Sequence, residues 1–219
     1  HRLTYTRTTL LPYTTLFRSL NQFHNSSDLT VNEIRFYLSD VYFSLADNVK
    51  ALEQLNLVEQ YTSAETSPYL LADTYRQLGQ IHFINGNFNI GEEYTQKALK
   101  LYTDLGYTGG QIKAFTSLSR FFQHQHKYDE AIGYINKSLA LARVKENKLM
   151  IGATINQLIY LLNIQGLIKE AWELNLEMEN IGLEIGFTRM VIAAKHHFVE
   201  IARHQRNYEV AKANLDEHL

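Results

Sequence analysis

The sequence predicts an all-α fold, a right-handed α-solenoid of about five helical hairpins with a 40-residue period. Three observations support this prediction. Small residues recur at that interval, and a large apolar residue precedes each of them by thirteen positions. The 219 residues include only two prolines and eleven glycines, so long stretches contain no helix breaker. The small residues are Ala51, Gly91, Ala131, Ala171 and Ala211, and the large ones are Leu38, Leu78, Leu118, Leu158 and Phe198.

Each repeat is predicted to form two antiparallel helices. In the third repeat, Ile112, Phe115, Leu118 and Phe122 follow one another at helical spacing. A short polar turn, HKYD, separates them from a second apolar stripe that begins at Ala131. Two helices approach closely only where one presents Ala or Gly at the crossing. The recurring small residue is therefore expected at that crossing.

The register of the repeats predicts the organisation of the chain. Residues 20–30 form a lead-in to a solenoid over 31–219. Its units are about 32–71, 72–111, 112–151, 152–191 and 192–219, the last one truncated. Ser67 followed by Pro68 is typical of a helix start, because Ser caps orphan backbone N–H groups and Pro suits the first helical position.

The repeats resemble the tetratricopeptide repeat (TPR) family. Residues that match the family pattern are Leu78, Gly79, Gly86, Phe88, Ala98, Ala131, Gly166, Ala171 and Ala211. The period is longer than the family's usual ~34 residues, and longer units of this kind look similar to those in bacterial signalling proteins. The resemblance implies a module that binds other proteins or peptides.

Residues 1–19 do not share the repeat pattern and are predicted to be non-native or disordered. The stretch PYTTLFRS, residues 12–19, resembles the translation of a common sequencing adapter. The final unit stops within its second helix and has no capping helix, which solenoids need. We therefore expect a fragment of a longer protein, whose uncapped C-terminal hairpin could self-associate.

Composition and motifs argue against several functions. The chain has no Cys, which excludes a thiolate nucleophile, and its net charge of -2 gives no reason to expect nucleic acid. No apolar run is long enough to span a membrane. His196, Glu200 and His204 share a helix face, but joint ligation over that rise would be strained, so no metal is predicted. We expect no cofactor and no enzymatic activity in this fragment.

The expected binding surface is the groove that first helices line in TPR proteins. Cationic side chains there could bind a carboxylate or an acidic segment through charge-assisted hydrogen bonds. Arg76, Lys113 and Arg120 lie on neighbouring units and could converge. The groove residues are predicted to be Arg76, Gln80, Phe83, Lys113, Arg120, His124, Asn156, Tyr160, Asn163 and Arg203.

The functional prediction is a protein- or peptide-binding scaffold that forms the sensory or regulatory part of a larger bacterial signalling protein. Two alternatives stay open at this stage. One is the N-terminal region of a signalling enzyme, such as a diguanylate cyclase or histidine kinase. The other is a peptide-pheromone-responsive transcription regulator without its DNA-binding domain. A cytoplasmic location is favoured, with the periplasm as the alternative.

Overall fold

A computed structural model describes residues 27–204, and these residues form nine α-helices. The described residues divide into two compact bodies, one that ends at Leu105 and one that begins at Gly106. The first body contains α1 (Leu29–Ser44), α2 (Asn48–Tyr61), α3 (Pro68–Ile84) and α4 (Phe88–Asp104). The second contains α5 (Thr108–His124), α6 (Tyr128–Val144), α7 (Lys148–Gln165), α8 (Ile168–Glu184) and α9 (Thr188–His204).

The helix starts confirm the predicted period. Second helices of repeats one to four begin at Asn48, Phe88, Tyr128 and Ile168, which are 40 residues apart. First helices of repeats two to five begin at Pro68, Thr108, Lys148 and Thr188, again 40 residues apart. The fold class is therefore the predicted all-α, TPR-like solenoid. Among the described residues, no helix combines the length and apolarity that spanning a membrane requires.

The turn inside each repeat depends on one residue in the left-handed region. These residues are Ala46, Gly86, His126 and Gly166, with φ between 59° and 81°. In repeat two the next residue, Asn87, donates its backbone N–H to the His82 carbonyl at 2.8 Å. This six-to-one hydrogen bond is the Schellman motif, which satisfies an orphan carbonyl at the end of the first helix. The same bond recurs in repeat four, from Leu167 to Leu162 at 2.9 Å.

The small residues lie inside the hairpins, as predicted. Ala51, Ala131 and Ala171 are fully buried. In repeat two the contact is backbone to backbone, because a Cβ added at Gly79 of α3 would lie 2.9 Å from the Gly91 carbonyl oxygen of α4. Large residues surround these crossings, and Leu78, Leu118 and Leu158 are at most 4% exposed.

Each body has its own apolar core. In the first body, Ala51 and Leu55 of α2 pack with Leu78 and Ile81 of α3. In the second body, one continuous cluster extends from Ile112 of α5 to Ile201 of α9. The predictions for residues 1–19, for most of the lead-in, and for Ala211 of the fifth unit lie outside the described residues.

Candidate functional site

In the first body, the candidate site is a small polar pocket between α1 and α3. Its volume is about 70 Å³. Gln77 of α3 donates its amide hydrogen to a carboxylate oxygen of Asp40 on α1. The hydroxyl of Ser39 lies 2.9 Å from the Gln77 carbonyl oxygen, and both side chains are buried. The pocket is lined by Asp40, Phe43, Arg76, Gln77, Gln80 and Ile81.

The electrostatics of this pocket are governed by two carboxylates and one guanidinium. Arg76 Nε lies 3.7 Å from Asp73 Oδ1, and Asp73 also accepts a 2.6 Å hydrogen bond from the Tyr102 hydroxyl. Burial raises the pKa of Asp40, an effect that nearby Arg76 opposes and nearby Asp73 reinforces. Arg76 Nε is buried and has no hydrogen-bond partner among the described residues. The pocket therefore carries an excess of negative charge.

Two of the three residues predicted for the groove in this body, Arg76 and Gln80, line the pocket. The third, Phe83, packs edge-to-face on Phe88 with the ring centroids 5.4 Å apart. Arg76 thus has acidic neighbours, so an anionic ligand would compete with Asp73 and Asp40 for it. Its predicted role in binding a carboxylate stays a prediction.

In the second body, the corresponding surface is formed by α5, α7 and α9. Arg120 of α5 donates from Nε to the carbonyl oxygen of Gln157 on α7 at 3.1 Å. Gln157 donates in turn from Nε2 to the carbonyl oxygen of Gln123 at 3.1 Å. The two hydrogen bonds hold α5 and α7 side by side. The guanidinium of Arg120 stays exposed.

The bridging glutamines occupy equivalent positions. Gln157 stands two periods after Gln77, and Arg120 stands two periods after Asp40. The same residue position therefore contacts a carboxylate in the first body and a guanidinium in the second. An amide can do both because it carries donors and an acceptor. The charge of this surface is thus reversed between the bodies while the bridging contact is kept.

The other predicted groove residues of the second body lie on the same three helices. Lys113 and His124 of α5 are exposed, and Tyr160 of α7 is half-exposed. Oδ1 of Asn156 on α7 accepts a 2.9 Å hydrogen bond from Nε2 of His197 on α9. Arg203 of α9 is exposed and pairs with Glu200 at 2.9 Å.

Two groups on this surface have unusual environments. The side-chain carbonyl oxygen of Asn163 is buried and has no partner among the described residues. Burial lowers the pKa of His197, the neighbouring His196 lowers it further, and Glu200 opposes the shift. A buried orphan acceptor costs free energy unless a ligand or water supplies a donor.

Sequence reasoning missed the residues that join the helices: Ser39, Asp40, Gln77, Gln123, Gln157 and His197. Their signal is a separation of 34 to 41 residues between bonded side chains. That separation brings residues of successive first helices together. Only a search of the sequence for pairs of polar residues about 40 positions apart would have found these contacts.

The described residues contain no group of three His, Cys, Asp or Glu side chains arranged to hold a metal ion. Of the three residues that share a helix face at the end of α9, His196 is exposed and Glu200 is paired with Arg203. The side chain of His204 lies outside the described residues. The chemistry available on the described surface is that of hydrogen bonds, charge and aromatic contact.

Comparison with known proteins confirms the predicted resemblance. Residues 70–144 match the model of the tetratricopeptide repeat. A search of curated proteins gives no match.

Several solved structures share the fold. BtubC (BKLC) from P. vanneervenii superposes with a TM-score of 0.76 at 16% identity, covering 93% of this chain and 87% of that one. Aspartyl phosphate phosphatase F from Bacillus subtilis has a TM-score of 0.77 at 12% identity, covering 93% and 54%. A STAND signal transduction ATPase with a tetratricopeptide repeat sensor, from Pyrococcus horikoshii, has a TM-score of 0.74 at 17% identity, covering 90% and 32%. This chain thus spans about half of the second structure and a third of the last.

Proposed function

We propose that this chain is a scaffold that binds a peptide or a partner protein through the surface formed by α5, α7 and α9. The observation that carries the proposal is the row of interhelical hydrogen bonds on that surface. Arg120, Gln157 and Gln123 bond α5 to α7, and Asn156 and His197 bond α7 to α9. These bonds preorganise the side chains, of which Arg120 is exposed, and this lowers the entropy lost when a ligand binds.

The ligand that fits this surface is an extended segment with carboxylate groups. Lys113, Arg120 and Arg203 supply exposed cations, and His124 is exposed as well. Charge-assisted hydrogen bonds to a carboxylate are about twice as strong as neutral ones. The half-exposed ring of Tyr160 offers an apolar contact beside them. In the first body, Arg76, Gln80 and Phe83 are proposed as a separate contact, at which a ligand carboxylate would have to displace Asp73 from Arg76.

The proposal extends to the place of this chain in a larger protein. The STAND ATPase of similar fold is described as having a tetratricopeptide repeat sensor, and this chain spans 32% of its length. We therefore favour the sensory or regulatory part of a bacterial signalling protein. The chain itself acts by binding, and catalysis, if the whole protein has any, resides in another domain.

A signalling enzyme and a peptide-responsive transcription regulator are the alternatives. The phosphatase of similar fold is a reason to keep the signalling enzyme as an alternative, although a sequence identity of 12% is evidence of a shared fold alone. Sequencing the complete reading frame separates them, because a kinase or cyclase domain supports the first and a helix-turn-helix supports the second. A third arrangement, self-association through the last hairpin, is tested by measuring mass against concentration.

A charge-reversal experiment tests the binding surface. The probe is an array of acidic peptides, each made with a free and an amidated C-terminus, followed by fluorescence anisotropy on the peptides that bind. Arg120→Glu is expected to weaken binding at least tenfold, because it places a carboxylate beside the ligand's own. Lys145→Glu is the matched control, since Lys145 is an exposed residue at the end of α6 and makes the same charge change elsewhere.

Far-UV circular dichroism should show equal helicity for both variants. If Arg120→Glu binds the peptides as tightly as the unmodified chain, the surface of α5, α7 and α9 is not the site. If both variants lose affinity equally, the attraction is general to the protein's charge and the proposed site is wrong.

A further inference from the structure

A second cavity lies within the second body, on the side of the second helices. It is a groove of about 530 Å³. α6 and α8 form its walls, and α7 forms its floor. Leu158 and Leu162 of α7 line the floor, and Ile132 and Leu139 of α6 face Leu174 of α8. We name this cavity the α6–α8 groove.

The α6–α8 groove exists because repeat four lacks an aromatic residue that repeat two has. In repeat two, Tyr94 stacks on His82 with the ring centroids 5.7 Å apart and the planes 5° apart. Its hydroxyl bonds to Glu59 of the preceding second helix at 3.1 Å. This tyrosine therefore reaches from its own hairpin to the hairpin before it. Two periods later, Leu174 stands in place of Tyr94 and Leu162 in place of His82.

Leucine is too short to make that connection. The Tyr94 phenol extends beyond its ring to a carboxylate on α2, whereas Leu174 ends at its methyl groups and carries no hydrogen-bonding atom. The space that an aromatic ring occupies in repeat two is therefore open in repeat four. What remains is an apolar trough between α6 and α8.

One charged position next to this tyrosine also changes sign between the repeats. In repeat two, Lys97 lies 4.9 Å from the Tyr94 ring centroid and pairs with Glu93. The equivalent of Lys97 in repeat four is Glu177, and the equivalent of Glu93 is Glu173. Asp129 and Glu170 add two more carboxylates to the groove lining.

Only one of these four carboxylates has a cationic partner in the described part of the chain. Glu177 accepts two hydrogen bonds from Arg143, at 2.9 and 2.7 Å, at one end of the groove. At the other end Asp129 accepts from the neutral amide of Gln165 at 2.6 Å. Glu170 and Glu173 are exposed and form no ion pair with any described residue. The groove thus combines an apolar floor with a rim that carries three uncompensated negative charges.

The dimensions match a helix of a partner protein. Asp129 and Arg143 mark the two ends of the lining on α6, fourteen residues apart, or about 20 Å at 1.5 Å per residue. Amphipathic helices bind grooves of this kind by placing apolar anchors at i, i+3, i+4 and i+7. Lysine or arginine on either side of such a stripe would meet the carboxylates of the rim.

We propose that the α6–α8 groove is a docking site for a basic amphipathic helix of a partner protein. The site is separate from the surface of α5, α7 and α9, and it uses the opposite charge. The apolar stripe of the partner covers the partly exposed Ile132 and Leu174, and its cations pair with Glu170 and Glu173. The chain then holds two partners of opposite charge, and α7 contributes residues to both sites.

The test uses a synthetic peptide of about sixteen residues, roughly the length of the groove as a helix. It carries leucine along one face and lysine on both flanks, with acetylated and amidated ends and a fluorescent label. A second peptide has glutamate in place of every lysine. Fluorescence anisotropy is expected to show saturable binding of the lysine peptide and at least tenfold weaker binding of the glutamate peptide.

Two variants of the groove and two controls locate the binding. Leu174→Tyr restores the side chain that repeat two carries and should weaken binding at least tenfold by filling the trough. The double variant Glu170→Lys with Glu173→Lys changes only exposed residues, so it keeps the fold and should weaken binding by the same factor or more. Glu130→Lys is the matched control, since Glu130 lies in the first turn of α6 as Glu170 lies in that of α8, but outside the groove. Glu130→Lys and Arg120→Glu should each leave binding within twofold.

Binding of the lysine peptide that survives both groove variants would overturn the proposal. So would equal losses in the Glu130→Lys control, because the attraction would then be unspecific. Analytical ultracentrifugation without peptide supplies the last check. A dimer that Leu174→Tyr dissociates would show that a second copy of the chain, and not a basic helix, fills the groove. Because Arg120→Glu leaves this assay unaffected, failure here is distinct from failure of the proposed function.

Discussion

Repeats two and four have the same arrangement of helices and turns but different side chains packed between the helices. Both begin a second helix at the same point of the period, at Phe88 and Ile168, after a glycine in the left-handed region. Repeat two fills the space between its helices and its neighbour with polar and aromatic side chains, including the buried Tyr102 and the stacked Tyr94. Repeat four uses aliphatic residues and keeps an open groove. The comparison teaches that turns and crossings set the architecture, while the remaining positions decide what each repeat can bind.

The closest crossing differs between the two repeats as well. Gly79 of α3 lies against Gly91 and Thr95, whereas the equivalent position of α7 is the fully buried Ile159. Repeat four accommodates this larger residue inside the continuous core of the second body. The first helix of a hairpin can thus carry a large side chain at this position only where the neighbouring side chains leave space for it.

The largest expected effect comes from filling the tight crossing of repeat two. A Cβ at position 79 would lie 2.4 Å from Thr95 Oγ1 and 2.9 Å from the Gly91 carbonyl oxygen, and the latter belongs to the backbone. Gly79→Val should therefore destabilise the protein by about 3 kcal/mol, the upper part of the usual range for overpacking. Urea denaturation followed by circular dichroism measures the change in the free energy of unfolding.

The matched control is a helical glycine in repeat four. A Cβ at Gly152 would meet only the flexible end of the Met190 side chain, which can move aside. Gly152→Ala should be neutral or stabilising by up to about 1 kcal/mol, because alanine favours the helix over glycine. Equal costs at the two positions would show that repeat two is no more tightly packed than repeat four.

The next effect concerns the buried polar pair of repeat two. Tyr102 is fully buried and donates to Asp73 at 2.6 Å, a contact that has no counterpart in repeat four, where Gly182 occupies the position. Burial and the bond to Asp73 raise the pKa of Tyr102 well above its usual value. Tyr102→Phe should lower the free energy of unfolding by about 2 kcal/mol, since hydrogen bonds to charged groups contribute about 1.5–3 kcal/mol. An unchanged urea midpoint would contradict the importance of this bond.

A smaller effect, with a pH dependence, is expected at His82. Burial lowers the pKa of His82, and its buried Nδ1 has no partner among the described residues. Protonation therefore favours the unfolded chain: the penalty is absent well above the unfolded pKa of about 6.5, grows as the pH falls from that value towards the lower folded pKa, and levels off below it. Repeat three has Phe122 at this position, stacked on Tyr134 at 5.1 Å.

His82→Phe should thus stabilise the protein by about 1 kcal/mol at pH 7.5, the lower end of the cost of a buried unsatisfied group. Between pH 7.5 and 5.5 the variant should lose less stability than the unmodified chain. Some pH dependence will remain, because burial and the neighbouring His196 also lower the pKa of His197. Parallel pH profiles of the two proteins would contradict this account.

The smallest effect is expected in the turns. Repeats two and four have Gly86 and Gly166 in the left-handed region, whereas repeat one has Ala46 there with φ of 60°. An L-residue pays about 1 kcal/mol or more for this conformation, and glycine loses more entropy on folding. Ala46→Gly should therefore stabilise by about 0.5 kcal/mol and Gly166→Ala should destabilise by about 1 kcal/mol. Thermal melting of both variants checks the opposite signs.

The fold was largely predictable because its determinants repeat. Buried helix crossings are predicted by small residues at a constant interval, at Ala51, Ala131 and Ala171. A helix start is predicted by Pro68 after Ser67. The candidate site was less predictable. Arg120 was predicted on the surface of α5, but its bond to Gln157 joins residues 37 positions apart and carries no local signal. The α6–α8 groove depends on the absence of a tyrosine at position 174, and an absence is visible only against the equivalent Tyr94.

The sequence by itself determined the period, the helices and the buried small residues, because each depends on spacing within one hairpin. Tertiary structure alone decided that Asp40 and Arg120 meet equivalent glutamines, that Arg76 lies near Asp73, and that a groove opens between α6 and α8. The physical reason is the separation along the sequence of the residues that interact. Helix formation and crossing depend on neighbours a few residues away, whereas hydrogen bonds and cavities depend on side chains that packing brings together from one repeat to the next.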